Sequence, residues 1–456
     1  MTDVAPTSRR RRSSSALGSR AAVGSRLGWP VRLALGAVPL VLCLAHLTFG
    51  ANQSAASLWF TALCALGLAI ALSTPLRTGL YDLVPALPMV ILFGLTLAVA
   101  AWTLTPWAPG GAHPIWAWAG ISPGAITVDR GQTLLEMVKL CGLACIFGLG
   151  ALQGFSRDRA LATLEAIVWT GGAYALISLF TFVAGVQIAV GDRLSGGFLS
   201  FNSGATVFGI LTVLALALFL RGWQKKAGPG LSGRITALAG PLACLSLSTV
   251  CLVLTQSRMG LAATLFAAGA LLVWTFAQNP KGKVSAIVAG LLLLTLASIL
   301  LFGGNALVWT RLDALDVDAS VRGQILAAHW QAFLASPLFG YGLGSFNPVN
   351  LQIMTGENSA ALWSIRATHN VYLQWLQETG LVGAFPMFLL IATILSLSVW
   401  RSGRGLGGRT PLHGLLCANL VVLVHGMTDY ALQVPSIAAF WAFLLGLQFA
   451  YAQGRG

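Results

Sequence analysis

Seven Lys and Arg residues are the first candidates for chemistry in this chain of 456 residues. They fall between apolar segments, on what we predict below to be the outer side of a membrane, where positive charge is disfavoured. A bound anion would explain them, since the planar guanidinium of Arg donates two parallel charged hydrogen bonds to phosphate. The open alternative is a side chain that reaches the membrane interface or pairs with an acidic neighbour. The seven residues are Arg130, Lys139, Arg193, Arg258, Arg311, Arg322 and Arg366.

Two of these arginines have surroundings that suggest an anion site. Arg258 lies in Thr255–Gly260, between two apolar segments with almost no loop, so we expect it at the membrane–water boundary. There it could meet a lipid-linked phosphate, or act only as an interfacial anchor. Arg193 precedes a predicted helix start at Phe201–Gly204, and a helix N-terminus beside an Arg favours anions. A surface pair with Asp192 is the alternative for Arg193.

His369 stands where a predicted apolar helix begins, which suits a general base that takes a proton from a sugar hydroxyl. A structural histidine at a helix start is the alternative. Glu378 lies nine residues deeper, about 13 Å along a helix, where a buried carboxylate needs an Arg or a hydrogen-bond donor. His425 and Asp429 are spaced i, i+4 in another apolar segment, and we expect them to pair structurally.

The stretch Ser336–Asn347 alternates glycine with bulky residues. It is superficially like a nucleotide-binding loop, but no strand precedes it, so that function is not supported. We expect a tight turn whose backbone forms the wall of a cavity.

Three stretches, in this order and spacing, resemble the O-antigen ligase and O-antigen polymerase family. They are Ser257-Arg258-Met259-Gly260, the glycine-rich stretch Pro337–Phe346, and His369-Asn370-Val371-Tyr372-Leu373 continuing to Gly383. The similarity covers about residues 190–400. Arg193 matches the Arg that precedes the family's Ser-Gly-Thr-Phe and Asn-x-Asn stretch, in which one Asn is missing here.

The resemblance implies an all-α, polytopic C-type membrane glycosyltransferase that needs neither metal nor cofactor. Such an enzyme transfers a glycan from undecaprenyl diphosphate to a hydroxyl of a glycan acceptor on the periplasmic face. His369 would be the catalytic base, and Arg258, Arg322 and Arg193 would bind the diphosphate. Arg311, Asn370 and Glu378 complete the candidate substrate-binding set. The run Asp313, Asp316 and Asp318 has neither the spacing nor the location expected of a metal site, so we expect a solvated loop.

The elements that must position these residues are apolar helices. Hydrophobic residues make up 56% of the chain and charged residues only 9%, which excludes an ordinary soluble fold. The apolar runs are near 20 residues and continuous, so they predict membrane helices and exclude a membrane β-barrel. We expect about twelve spans, at 31–50, 55–73, 83–104, 134–154, 162–186, 203–221, 235–255, 260–278, 284–304, 371–398, 413–430 and 434–452.

Charge placement orients the spans. The net charge is +14, and placing the N-terminus in the cytoplasm puts 20 of the 27 Lys and Arg on the inner side. This split follows the positive-inside rule, so nucleic acid is not needed to explain the basic composition. We therefore predict a disordered basic cytoplasmic tail at 1–29 and a membrane domain at 30–456. Both termini face the cytoplasm of a bacterial inner membrane, and 305–370 forms the large periplasmic loop.

The sequence leaves three functions open. We favour a polymerase that joins lipid-linked repeat units of a surface polysaccharide or exopolysaccharide. A ligase that moves a finished glycan onto lipid A–core or another acceptor would share the same core. A transporter of lipid-linked glycans would instead place ionisable groups deep in a central cavity, whereas here they gather on the outer side.

Overall fold

The chain is an all-helical, polytopic membrane protein. Its computed structural model describes residues 29–73, 84–187, 191–224, 231–277, 306–402 and 410–453, and these ranges contain no strand. Within them, seven helices are long and apolar enough to cross a membrane, and four shorter apolar helices accompany them.

We number the described helices in chain order. They are α1 Trp29–Leu47, α2 Ser54–Leu72, α3 Leu87–Trp102, α4 Pro114–Trp118, α5 Arg130–Gly154, α6 Arg157–Val183, α7 Phe201–Gln224, α8 Leu231–Leu254, α9 Arg258–Ala277, α10 Ala306–Ala335, α11 Phe346–Gln352, α12 Ser359–Leu362, α13 Val371–Ser402, α14 Thr410–His425 and α15 Pro435–Gln453.

Eleven of the twelve predicted spans coincide with one of these helices, to within a few residues at most ends. The ninth, at 284–304, lies outside the described residues, as does the predicted tail apart from Trp29. One boundary was wrong in a way that matters for the site, because α14 ends at His425 rather than near 430. In the large loop, the apolar pattern at 321–334 belongs to the longer helix α10.

Helix α7 is the centre of the bundle, since 89% of its apolar window is buried. Helices α5 and α15 pack most closely. Glycines at their interface have no side chain, so the backbones of the two helices touch directly. A Cβ at Gly150 would lie 2.2 Å from the carbonyl oxygen of Phe443, and one at Gly446 would lie 2.0 Å from that of Phe147. Small residues allow this approach, which strengthens helix packing where no hydrophobic effect operates.

Helix α13 is interrupted at Gly380, which adopts φ 61° and ψ −175°. The glycine-rich stretch, which we call the glycine loop (residues 337–346), binds the backbone freed by this break. Tyr341 N–H donates to Gln377 O at 3.0 Å, and Gly342 N–H donates to Glu378 O at 2.8 Å. Val382 N–H donates in the reverse direction to Leu338 O at 3.0 Å. These bonds satisfy backbone groups on both sides of the break at membrane depth.

We predict that Gly340→Ala destabilises the protein by about 2 kcal/mol or more. Gly340 has φ 64°, and a Cβ there would lie 2.4 Å from Gln377 O, so the loop could not keep its position on α13. Thermal unfolding of the purified protein in detergent measures the effect. Gly356→Ala is the matched control, because nothing lies within 4 Å of its Cβ position. Equal midpoints for the two variants would contradict the prediction.

Candidate functional site

Arg258 is the first residue of α9 and is half-buried. The turn before it is tightly fixed, because Ser257 Oγ accepts the N–H of Gly260 at 3.3 Å and so caps the helix. Gln256 adopts the left-handed conformation, with φ 52°, which non-glycine residues rarely do. This turn holds Arg258 at the positive end of a helix, where an anion is doubly favoured.

Arg193 is attached to the same turn. Its Nε donates to the carbonyl oxygen of Thr255 at 2.9 Å, and its guanidinium lies 4.7 Å from the ring centroid of Phe201. The neighbouring backbone is also attached to this turn, because Leu194 N–H donates to Leu254 O at 3.0 Å. The structure thus brings the predicted Arg193 and Arg258 segments together, although they are distant in sequence.

Asn370 caps the N-terminus of α13. Its Oδ1 accepts the N–H of Leu373 at 3.0 Å, and its own N–H donates to Thr368 Oγ1 at 3.2 Å. His369, between these two polar residues, has φ 55°. Left-handed backbone at a non-glycine residue costs free energy and persists where the surroundings require it, so it points to a functional position. The cap formed by Asn370 thereby fixes the backbone of His369 just before the start of α13.

The imidazole of His369 is partly buried against Tyr430, with ring centroids 5.0 Å apart in an edge-on arrangement. Its Nδ1 is buried and has no hydrogen-bond partner among the described residues. Burial lowers the pKa of His369 below its ordinary value, and the positive charge of Arg322 lowers it further. The imidazole is therefore neutral at pH 7, which a proton acceptor requires.

Arg322 projects from α10 towards this group. Its side chain is exposed, and its charge acts on His369 and also on Asp429, where it lowers the pKa. Arg322 forms no ion pair within 4 Å, since the two such pairs among the described residues lie elsewhere. An exposed guanidinium facing an unpartnered imidazole is suited to a ligand between or beside them.

His425 lies behind these residues and does not pair with Asp429, contrary to our expectation. Its Nδ1 lies 2.8 Å from Thr206 Oγ1 on α7. The expected pairing was wrong because α14 ends at His425, so the two residues do not share a helix face. His425 Cε1 would lie 3.3 Å from a Cβ at Gly260, so its ring packs against the first turn of α9.

Asp429 is fully buried, and neither carboxylate oxygen has a hydrogen-bond partner among the described residues. Burial raises its pKa to about 6, although the Asn202 side chain and the N–H groups of Tyr430 and Ala431 act in the opposite direction. The carboxyl therefore titrates closer to neutral pH than an ordinary aspartate. The sequence analysis gave Asp429 only a structural role and did not identify Tyr430, although an acid in an apolar segment is itself a signal.

Glu378 is buried and holds the glycine loop. Its Oε2 accepts the N–H of Gly344 at 2.8 Å, and its Oε1 accepts from Gln374 Nε2 at 3.0 Å. These donors are the partners that the sequence required of a carboxylate at this depth. The geometry gives Glu378 a bracing role beside its predicted place in substrate binding.

His329 is a second brace that the sequence did not identify. It is fully buried on α10, with Nδ1 2.5 Å from Gln377 Oε1 on α13 and Nε2 3.2 Å from Asn350 Oδ1 on α11. Its ring stacks on Phe346. His329 thus ties the helix that carries Arg322 to the helix that follows His369.

The structure therefore gathers Arg193, Arg258, Arg322, His369 and Asn370 at one end of the bundle, with Asp429 and Tyr430 beside them. Glu378 lies deeper in the same region. Arg311 lies on α10, eleven residues before Arg322, and its side chain is outside the described part of the structure. We call the first set the arginine–histidine site.

We predict that Arg322→Gln raises the pKa of His369 towards its ordinary value, because the substitution removes a nearby positive charge. The pH dependence of acylation of His369 by diethyl pyrocarbonate, read by mass spectrometry, reports the neutral imidazole. In the wild type the midpoint should lie below that of an ordinary histidine, and it should move upward in the variant. Arg366→Gln, which removes an exposed arginine three residues away, is the matched control. A midpoint that stays fixed in Arg322→Gln would refute the assigned proximity.

No curated protein matches the chain. Residues 242–389 match the model of the O-antigen ligase family. The matched region contains Arg258, Arg322, the glycine loop, His369 and Glu378. About a third of the chain is therefore similar to the O-antigen ligase family, and this third includes the residues that the fold brings together.

Proposed function

We propose that this protein transfers a glycan from undecaprenyl diphosphate to a sugar hydroxyl, and that the arginine–histidine site performs the transfer. The observation that carries the proposal is a His369 imidazole with an unpartnered Nδ1, within reach of the charge of Arg322, in a region that matches the O-antigen ligase family. A site that is rich in positive charge and holds a free base suits a phosphate leaving group and a hydroxyl nucleophile.

The arginines bind the donor. Arg258 sits at a helix N-terminus and Arg322 is exposed beside His369, so a diphosphate between them meets charge from two directions. Diphosphate is a good leaving group once the negative charge that develops on it is offset. Guanidinium groups provide that offset through charged hydrogen bonds, so the proposed reaction needs no metal.

His369 activates the acceptor. The hydroxyl oxygen attacks the anomeric carbon of the donor glycan, and its proton passes to the imidazole. The bond between the anomeric carbon and the phosphate oxygen breaks, and undecaprenyl diphosphate leaves with both electrons of that bond. The low pKa of His369 keeps the imidazole free of protons before the reaction.

Asp429 completes the electrostatic balance in this proposal. Its buried carboxylate lies within the field of Arg322, which lowers its pKa. Once His369 has taken the proton, the site gains a positive charge, and a nearby ionised carboxylate reduces the cost of that charge. Asn370 and Glu378 act as positioning residues through the cap of α13 and the glycine loop.

We favour polymerisation of repeat units as the specific activity, with ligation onto lipid A–core or another acceptor as the alternative. Both activities use the same donor and the same chemistry. Transport of the lipid-linked glycan remains the further alternative, and it assigns no proton transfer to His369.

We predict that His369→Ala abolishes glycan transfer, with a loss of about 100-fold or more, because general-base catalysis contributes at least that factor. The measurement is the gel profile of lipid-linked glycans in cells that lack the protein and are complemented with each variant. His113→Ala, which removes a histidine that caps α4 and packs edge-on against Tyr341, is the matched control.

The profile also separates the alternatives. Single lipid-linked repeat units that accumulate with His369→Ala indicate a polymerase, and long lipid-linked chains that fail to reach an acceptor indicate a ligase. A normal profile with His369→Ala would rule out the catalytic assignment and favour transport.

We further propose that the arginine–histidine site faces the periplasm. Glu357 is exposed in the loop between α11 and α12, so Glu357→Cys should react with an impermeant thiol reagent on intact spheroplasts. The labelling uses a Cys141→Ala background, because Cys141 is exposed on α5 and would itself react. Labelling that requires broken membranes would place the site on the cytoplasmic side instead.

A further inference from the structure

A cavity of about 800 Å³ lies in the bundle between α2, α3, α5, α13 and α15. None of the arginines of the arginine–histidine site lines it, nor does His369. Val90 and Leu72, both exposed on the outside of the bundle, contribute to its wall, so the cavity opens sideways between helices. Because the surrounding helices are membrane helices, the solvent at this opening is lipid.

The lining of the cavity is almost wholly apolar, which suits a hydrocarbon chain. Thr61 and Gln433 contribute to its wall, and two further polar features bear on a ligand. Lys139 Nζ lies 2.6 Å from Glu136 Oε1 on α5, and both side chains are partly exposed. Trp375 Nε1 is buried and has no hydrogen-bond partner among the described residues. A third polar group, the hydroxyl of Tyr372, is already bonded to Leu423 O at 2.7 Å.

These polar groups lie towards one end of the cavity. Trp375 follows the start of α13 by four residues, and Glu136 and Lys139 follow the start of α5 by six and nine. At 1.5 Å per residue, all three lie within about 14 Å of those helix ends. Trp375 and Glu136 lie in the outer half of these helices, and the long Lys139 side chain reaches back to Glu136, so the polar groups are placed to meet the polar end of a lipid.

We propose that this cavity binds one zwitterionic glycerophospholipid, with an acyl chain in the apolar part and the headgroup at the Lys139–Glu136 pair. The charge pattern selects this occupant. Lys139 supplies a positive group for the lipid phosphate, and Glu136 supplies a negative group for the lipid ammonium. The buried carboxyl of Glu378 lies close enough to interact with both members of the pair. A lipid diphosphate would bring two or more negative charges against Glu136 and Glu378, with Lys139 as the opposing positive charge.

The unpartnered indole supports an acyl lipid. A buried N–H without an acceptor costs free energy, and an ester carbonyl at the glycerol backbone would satisfy it. The bound lipid would contact the first turns of α13 from the cavity side, through Trp375 and Tyr372. The cavity adjoins the site that we propose for the glycan donor without including its arginines or His369, so retention of the lipid is measured apart from glycan transfer.

The test is native mass spectrometry of the intact protein with an equimolar mixture of phosphatidylethanolamine, phosphatidylglycerol and undecaprenyl diphosphate. We expect one retained phosphatidylethanolamine. Lys139→Gln should lower its retention about tenfold or more, because a charged hydrogen bond to phosphate is lost. Glu136→Gln should shift the preference to phosphatidylglycerol, since the opening then carries a net positive charge. Glu165→Gln, which breaks the Arg221–Glu165 pair away from the cavity, should change nothing.

A second pair of variants fills the cavity without touching its charges. Ala144→Phe projects into the cavity and should abolish retention, whereas Val138→Phe, on the same helix but outside the lining, should leave it intact. Retention of undecaprenyl diphosphate in place of phosphatidylethanolamine by wild type would overturn the proposal. So would a lipid preference that neither Lys139→Gln nor Glu136→Gln alters, or equal retention by Ala144→Phe and Val138→Phe.

Discussion

The hydrogen bonds that join the glycine loop to the interrupted helix α13 are the constraint on which the site depends. A helix that breaks at membrane depth exposes carbonyl and amide groups that lipid cannot satisfy. Here Tyr341 and Gly342 bind the carbonyls of Gln377 and Glu378, and the Glu378 side chain returns the contact by accepting from Gly344. The break costs little free energy because the glycine loop forms hydrogen bonds with the exposed backbone groups. The glycine loop follows directly after α10, the helix that carries Arg322.

Electrostatics at the site follow from incomplete pairing. The charge of Arg322 acts on His369 and on Asp429 without a direct ion pair to either, and an imidazole nitrogen and both carboxylate oxygens lack hydrogen-bond partners among the described residues. Buried polar groups are normally satisfied, so such a concentration of unsatisfied groups is costly unless a bound molecule completes it. The braces differ, since Glu378 accepts two hydrogen bonds and both ring nitrogens of His329 contact side-chain oxygens. The residues that hold the site are thus bonded more completely than the residues that we propose to bind substrate.

The sequence predicted the helices well because apolar length is a strong signal, and it selected Arg193, Arg258 and His369 because charge near a membrane is expensive. It could not place the end of α14, which depends on a tertiary turn at residues 431–433 and decides whether His425 can reach Asp429. It also could not assign partners across the chain. The sequence indicated that Glu378 needs a hydrogen-bond donor. One donor is the backbone N–H of Gly344, 34 residues away, and a pattern of side chains cannot predict a backbone donor.

The bridge formed by His329 has a consequence for the order of events. Because the ring nitrogens of His329 contact Gln377 on α13 and Asn350 on α11, a movement of the helix that carries Arg322 would be transmitted to both. If a donor binds Arg322 as we propose, its binding would also act on the helix that follows His369. The position of the proposed base would then be coupled to occupancy by the donor, through the same histidine that stabilises the fold.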